Sequence, residues 1–210
     1  ISGLQSFLKK TPQSNLLEAL NNQVSNFSVL PLGLDLRDFD QTIKSKTSSE
    51  PRVIVWNHRW EYDKGPELFF NTLLKLKENN IDFRLIVLGE EYRKSPAIFS
   101  QAKEWFAEQT LHWGWCATRS EYVKWLQAGD ILPVTSEQDF FGISACEGIA
   151  AGLSPLFPNA LAFPEHIPLE EQHLLLYENA EQFYVKMKHM LTQDVAPLLN
   201  IQEKINSYSW

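Results

Sequence analysis

From Arg52 onward the hydrophobic pattern alternates between two periods. Short continuous apolar runs read as buried strands at Val53–Trp56, Phe83–Leu88, Leu111–Trp113, Ile131–Val134, Ser154–Phe157 and Leu174–Tyr177. Between them lie stretches with helical spacing: Pro66–Glu78, Pro96–Glu108, Arg119–Ala128, Ile143–Gly152, Ala180–Leu191 and Val195–Asn206. In the first of these, Pro66 suits the opening turn, and Leu68, Phe69, Leu73 and Leu76 share one face. Strand and helix in strict alternation imply parallel strands joined by right-handed crossovers. The expected fold is α/β, a doubly wound, Rossmann-like parallel sheet of roughly six strands.

The chain ahead of Arg52 has a different texture. Residues 1–27 read as polar helix fragments, with Leu16, Leu17 and Leu20 on one face, and are expected to be residual helix from a missing N-terminal domain. Residues 28–50 have linker composition: an extended apolar segment broken by Pro31 and Gly33, then a polar run from Gln41 to Glu50. Asp38-Phe39-Asp40 is formally a DxD string, but with no buried strand beside it, it reads as a helix cap or linker charge. Residues 51–192 then form the ligand-binding domain and 193–210 a C-terminal helix.

Composition narrows the classes. With 44% hydrophobic residues in 210, the chain can bury a full core. No apolar run is long enough for a membrane helix and Ile1 to Lys10 lack a signal-peptide layout, so a soluble, cytoplasmic protein without a membrane partner is expected. Two cysteines, Cys116 and Cys146, are too few and too isolated for a zinc site or a disulfide framework. A net charge of −7 argues against a broad nucleic-acid surface on this chain.

Candidate chemistry falls in the strand-to-helix loops, which open toward the ligand crevice of such a sheet. The first loop, Asn57 to Gly65, carries Arg59 and Lys64, a planar fork and a point charge suited to the two phosphates of a diphosphate. The same spacing allows both cations to pair with Glu61 and Asp63 as ordinary loop charges. No G-x-G-x-x-G follows the first strand, which disfavours a nicotinamide or flavin dinucleotide, and there is no Walker-type loop. After the fourth strand, Asp139 and Glu147 are separated by seven residues. Asp139 reads as a loop acid or cap, while Glu147 lies in a helix, Ile143–Gly152, too small and apolar to be a surface helix. Gly142 and its neighbours offer amides at that helix's start.

Three features in order, R-x-x-x-x-K-G after the first strand, Gly89 after the second and D-x7-E before the small-residue helix, resemble the donor-binding half of retaining glycosyltransferases of the two-Rossmann-domain (GT-B) type, whose own motif is E-x7-E. Val29 to Asp35 resembles their interdomain hinge. The strings Val55–Lys64, Val87–Glu90, Leu111–Gly114 and Asp139–Gly142 are more specifically similar to the glycosyltransferase-like domain-containing group, which includes a mannosyltransferase acting on queuosine in tRNA.

By that resemblance Arg59 and Lys64 neutralise the departing nucleotide diphosphate, and Asp139 meets the donor-sugar hydroxyls. Glu147 accepts hydrogen bonds from the ribose, and Gly142 and Ile143 present backbone amides. Gly89 and Phe141 are further candidate binding residues, although two adjacent aromatics, Phe140 and Phe141, are more often core. The loop Gly114–Thr118 meets the base, with Trp115 the named residue. The resemblance implies a nucleotide-sugar donor, GDP-mannose, no permanently bound cofactor and no metal. It also implies tRNA as acceptor, docking mainly through the missing N-terminal domain, and an isolated chain that binds nucleotide without turnover. A lipid or polysaccharide acceptor, or a nucleotide-binding module without catalysis, are the alternatives. Two positions depart from the family: Asp139 replaces the first Glu, and His58 stands where Gly is frequent, to bond a phosphate or sugar or else to pack beneath the loop.

Overall fold

The computed structural model describes residues 2–10, 14–27, 30–39, 50–91, 95–193 and 199–209. Asp40, residues 41–49 of the polar run and the first residues of the helix expected from Val195 lie outside them. The chain divides into two compact units, residues 1–32 and 33–210. The first contains two helices, α1 (Ser2–Leu8) and α2 (Ser14–Gln23), joined by a hydrogen bond from Gln5 Nε2 to Asn21 Oδ1 (2.9 Å).

The second unit is built on six parallel strands: β1 (Val53–Asn57), β2 (Arg84–Leu88), β3 (Thr110–Gly114), β4 (Ile131–Pro133), β5 (Ser154–Pro158) and β6 (Leu176–Tyr177). Their order is β3-β2-β1-β4-β5-β6, so the winding reverses between β1 and β4. At such a reversal the crossovers leave a crevice outside the strands' carboxyl ends.

The helices after β1 are α3 (Pro66–Glu78), α4 (Ile98–Trp105), α5 (Arg119–Gln127), α6 (Ile143–Ala150), the single turns α7 (Phe163–His166) and α8 (Gln172–Leu175), α9 (Ala180–Thr192) and α10 (Leu199–Asn206). Alternation along β1 assigns the two cores. Val53 and Val55 point to one face, where Leu126, Ile149 and Ile201 cover them. Ile54 and Trp56 point to the other, into Phe69, Phe70, Phe99 and Met187. Burial on both faces explains why the strands read as unbroken apolar runs.

Two expectations shift. The sixth strand shortens to Leu176–Tyr177 because Gln172–Leu175 closes a helical turn, its Gln172 side chain bonded to the Pro164 and Ile167 carbonyls. Part of the segment read as linker is packed: Leu34, Leu36 and Phe39 are buried in the second unit's core, and Leu34 N–H donates to Tyr208 O (2.8 Å).

Candidate functional site

The loop leaving β1 sorts its side chains by destination. Asn57 turns its amide toward α5 and α6, donating to Ser144 O (2.7 Å) and to the Tyr122 hydroxyl (3.3 Å). His58 is buried, its Nδ1 3.1 Å from Ser144 Oγ and its ring edge-on to Trp56 at 5.1 Å. Burial, with the nearby Lys64 charge, lowers this imidazole to about 4, so it is neutral at physiological pH. Trp60 folds back into the core and stacks on Phe99 at 4.7 Å. Arg59 points outward, 58% exposed, and pairs with Glu61 at 3.0 Å.

Lys64 goes the other way. A 3₁₀ turn, Tyr62–Lys64, buries it, and its ammonium donates to Gln138 O (2.9 Å) while meeting Asp139 (3.3 Å) and Asp63 (3.2 Å). Those contacts match the three protons of an ammonium. Asp63 O also accepts from Glu137 N–H (2.8 Å), so this cluster binds the β1–α3 and β4–α6 loops together. Each loop cation has its neighbouring acid, as the ion-pair reading expects, and Lys64 additionally holds Asp139.

Beyond β4, Asp139 Oδ1 accepts from Phe141 N–H (3.2 Å), fixing the turn into α6. Phe140 is fully exposed, whereas Phe141 packs edge-on against His166 (4.9 Å) and Tyr208 (5.5 Å). Gly142, with φ at +83°, caps α6, and Ile143 begins it half-exposed. The rest of α6 is small for a packing reason: a Cβ on Gly148 would stand 2.4 Å from Leu132 Cδ2 of β4. One turn along, Glu147 accepts from Arg119 Nη1 (2.6 Å) and the Tyr122 hydroxyl (2.9 Å). Burial first, and then the Glu147 charge, push the Tyr122 phenol well above its usual range, and Cys146 is pushed up to about 12 by burial and the same carboxylate.

A cavity of about 510 Å³ opens over the carboxyl ends of β1, β2 and β3. His58, Arg59, Gly89, Trp115 and Glu147 all line it. Gly89 is required there by geometry: its φ is +137°, and a Cβ would sit 2.2 Å from His58 O. Trp115, 67% exposed, also borders the adjoining cavity that Trp60 and Trp113 line. The other predicted residues do not line this cavity: Lys64 and Asp139 pair with each other, Gly142 and Ile143 open α6, and Phe141 packs against the core.

Sequence reasoning passed over Asn57, Tyr122 and Arg119, which also line the cavity. Arg119 had a signal. Thr118 caps α5 by accepting from Glu121 N–H (3.2 Å), while Glu121 reaches back to Ala117 N–H (3.0 Å). A Thr-x-x-Glu pattern marks a helix start, and here it places the next residue, Arg119, at the crevice.

A parallel, doubly wound sheet with this crevice at its topological switch point defines a Rossmann-type α/β protein. The model of the glycosyl transferases group 1 family matches residues 38–208, and the chain belongs to that family. It is 38% identical over 177 residues to a tRNA-queuosine alpha-mannosyltransferase of Drosophila melanogaster, covering 81% of this chain and 47% of that protein. The chain thus spans about half the length of this curated relative.

Among solved structures, TarM superposes with a TM-score of 0.67 at 15% identity, over 95% of this chain and 40% of that one. A sucrose-phosphate synthase of Thermosynechococcus elongatus gives 0.67 at 16%, over 98% and 56%. A glycosyltransferase of Rickettsia africae gives 0.64 at 19%, over 88% and 54%. These likenesses establish the fold, that of GT-B glycosyltransferases. Among the described residues no helix is long and apolar enough to cross a membrane.

Proposed function

We propose that this chain is the donor-binding part of a retaining glycosyltransferase that transfers mannose from GDP-mannose to queuosine in tRNA. The observation that carries the donor half is the convergence of His58, Arg59, Gly89, Trp115 and Glu147 on one cavity, with the Lys64–Asp139 pair beside it. The donor then lies with its base against Trp115, its ribose at Glu147, its diphosphate between Arg59 and the amino end of α6, and its sugar toward Asp139. The mannose and tRNA assignments are supported by the 38% identity with the Drosophila enzyme.

Transfer with retention builds charge on the departing diphosphate, so the catalytic contribution of this chain is to stabilise that charge. Arg59 is exposed and only loosely held by Glu61, which leaves its fork free to swing onto a phosphate. Lys64 exchanges one carboxylate for a phosphate oxygen while retaining Asp139. Loss of one such cation costs on the order of 3 kcal/mol of barrier, about a hundredfold in rate. Asp139, a methylene shorter than Glu, reaches the sugar from a turn that its own bond to Phe141 N–H sets.

The test is transfer by a full-length protein carrying this chain, supplied with labelled GDP-mannose and queuosine-containing tRNA. Label appearing on the tRNA is the expected result. Hydrolysis of the donor with no labelled tRNA would overturn the acceptor, and absence of both would overturn the donor.

A further inference from the structure

A second cavity, of about 830 Å³, lies between the end of β3, an edge strand, and α4, and no step of the proposed transfer uses it. Its walls combine indole rings with charge of both signs. Trp60, Trp113 and Trp115 line it, and Trp115 also lines the first cavity, so it presents surface to each. Glu90, Glu91 and Glu104 stand on the same walls as Lys103. Lys103 and Glu104 are neighbours on α4, and both are exposed.

The indole N–H of Trp60 is the informative group. Trp60 is 4% exposed, and among the described residues its Nε1 has no hydrogen-bond partner. A buried donor left unpaired carries a cost that an acceptor oxygen of a ligand would remove. Gly89, on the same wall, keeps the space beside it open: a Cβ there would stand 2.8 Å from Trp60 Nε1.

These walls discriminate between classes of ligand. A phosphate-bearing ligand would meet three carboxylates and one cation, an unfavourable balance. A polyamine would suit the carboxylates and the indole faces, but an ammonium has no acceptor for the Trp60 N–H and would be repelled by Lys103. A sugar hydroxyl both donates and accepts, so one ring can serve a carboxylate, the Lys103 ammonium and the indole N–H together. A pyranose also presents a face of C–H bonds, which packs on the electron-rich face of an indole.

We propose that this second cavity is a carbohydrate subsite, separate from the donor's, that takes a neutral pyranose with its ring against Trp115 and its hydroxyls on Lys103, Glu104 and Trp60. It is not the place of the transferred sugar, because Asp139, to which that sugar is assigned above, does not line it. The subsite goes beyond the proposed function and does not depend on the identity of the donor.

Ligand-observed NMR of the 210-residue chain tests this with methyl α-mannoside, methyl α-galactoside and spermidine as probes, each with and without saturating GDP. At least one glycoside is expected to bind saturably and to stay bound when GDP is added. Lys103→Ala and Glu104→Ala each weaken that glycoside about tenfold, the loss of a hydrogen bond to a charged group, while GDP affinity and melting temperature stay unchanged. Trp60→Phe removes the N–H but keeps a ring to stack on Phe99, and weakens the glycoside about fivefold. If that variant melts early, the two α4 variants still decide. Displacement of the glycoside by GDP would put it in the donor cavity and overturn the inference. So would binding of spermidine but of neither glycoside, binding of none of the three, or a glycoside affinity unchanged in both α4 variants.

Discussion

Arg59 and Lys64 are separated by four residues and by a large difference in environment. Arg59 is exposed and its pair with Glu61 contributes at most about 1 kcal/mol. Arg59→Ala should therefore leave the melting temperature nearly unchanged yet weaken nucleotide diphosphate binding about tenfold or more in a titration. Lys64→Met should behave oppositely in stability. Its ammonium is 10% exposed and faces two carboxylates, so its removal leaves Asp63 and Asp139 close together without a cation and costs about 3 kcal/mol. Adding Asp139→Asn should restore part of that loss, measurable by urea unfolding.

His58 makes a pH prediction. Its folded value, about 4, lies below its ordinary 6.5, so in that window the unfolded chain binds a proton that the folded chain refuses. Stability is intact near neutrality and falls as pH drops from 6.5 to 4, by as much as about 3 kcal/mol. Buried His166 is lowered too and acts in the same direction. His58→Gln should flatten the pH dependence of the urea midpoint without abolishing it.

At the scale of elements, α6 does two things with one sequence. It carries Glu147 on the cavity wall, while Ala145, Cys146, Gly148 and Ile149 are buried. The close approach of Gly148 to Leu132 brings the helix down on β4 and thereby sets the height at which Glu147 meets Arg119 and Tyr122. Gly148→Val should overpack that contact, lowering stability by about 2 kcal/mol. It should also weaken nucleotide binding, although the residue lines neither of the two cavities described above. Elements with a dominant local signal were legible in sequence: Pro66–Glu78 matches α3 residue for residue because a proline opens it and one apolar face runs through it. The sixth strand was less so, since Leu174 and Leu175 are apolar in either conformation and the helical turn depends on the Gln172 side chain meeting α7 and the residue after it.

At the scale of the whole molecule, ligand stabilisation offers the broadest check. GDP-mannose is expected to raise the melting temperature of the chain more than UDP-glucose or UDP-galactose at equal concentration, since a ligand that binds only the folded state stabilises it in proportion to its affinity. Transfer by a full-length protein is expected to survive EDTA, because Arg59, Lys64 and the amino end of α6 supply the positive charge. Loss with EDTA and recovery with manganese would refute that.

Much of the site's outline was contained in the sequence. Strand-to-helix loops of a doubly wound sheet must open at one edge, and so Arg59, Gly89, Trp115 and Glu147 were bound to share it. The D-x7-E spacing placed one acid before α6 and one within it. Relations between loops distant in sequence were decided only by tertiary structure. Burial of Lys64 against Asp139 depends on a carbonyl at Gln138, seventy-four residues away. Glu147 turned out to be gripped from α5, through a residue, Arg119, that is itself held by Asp35 and Asp38. Local periodicity records which face of an element is buried, but it carries no information on which charge meets which across the crevice. That is set by the reversal of winding between β1 and β4, which brings the β1 loop, the start of α5 and the amino end of α6 to one place. Asp139 and Glu147 thus began as two acids at a measured spacing and became parts of separate clusters, one organised by Lys64 and the other by Arg119 and Tyr122.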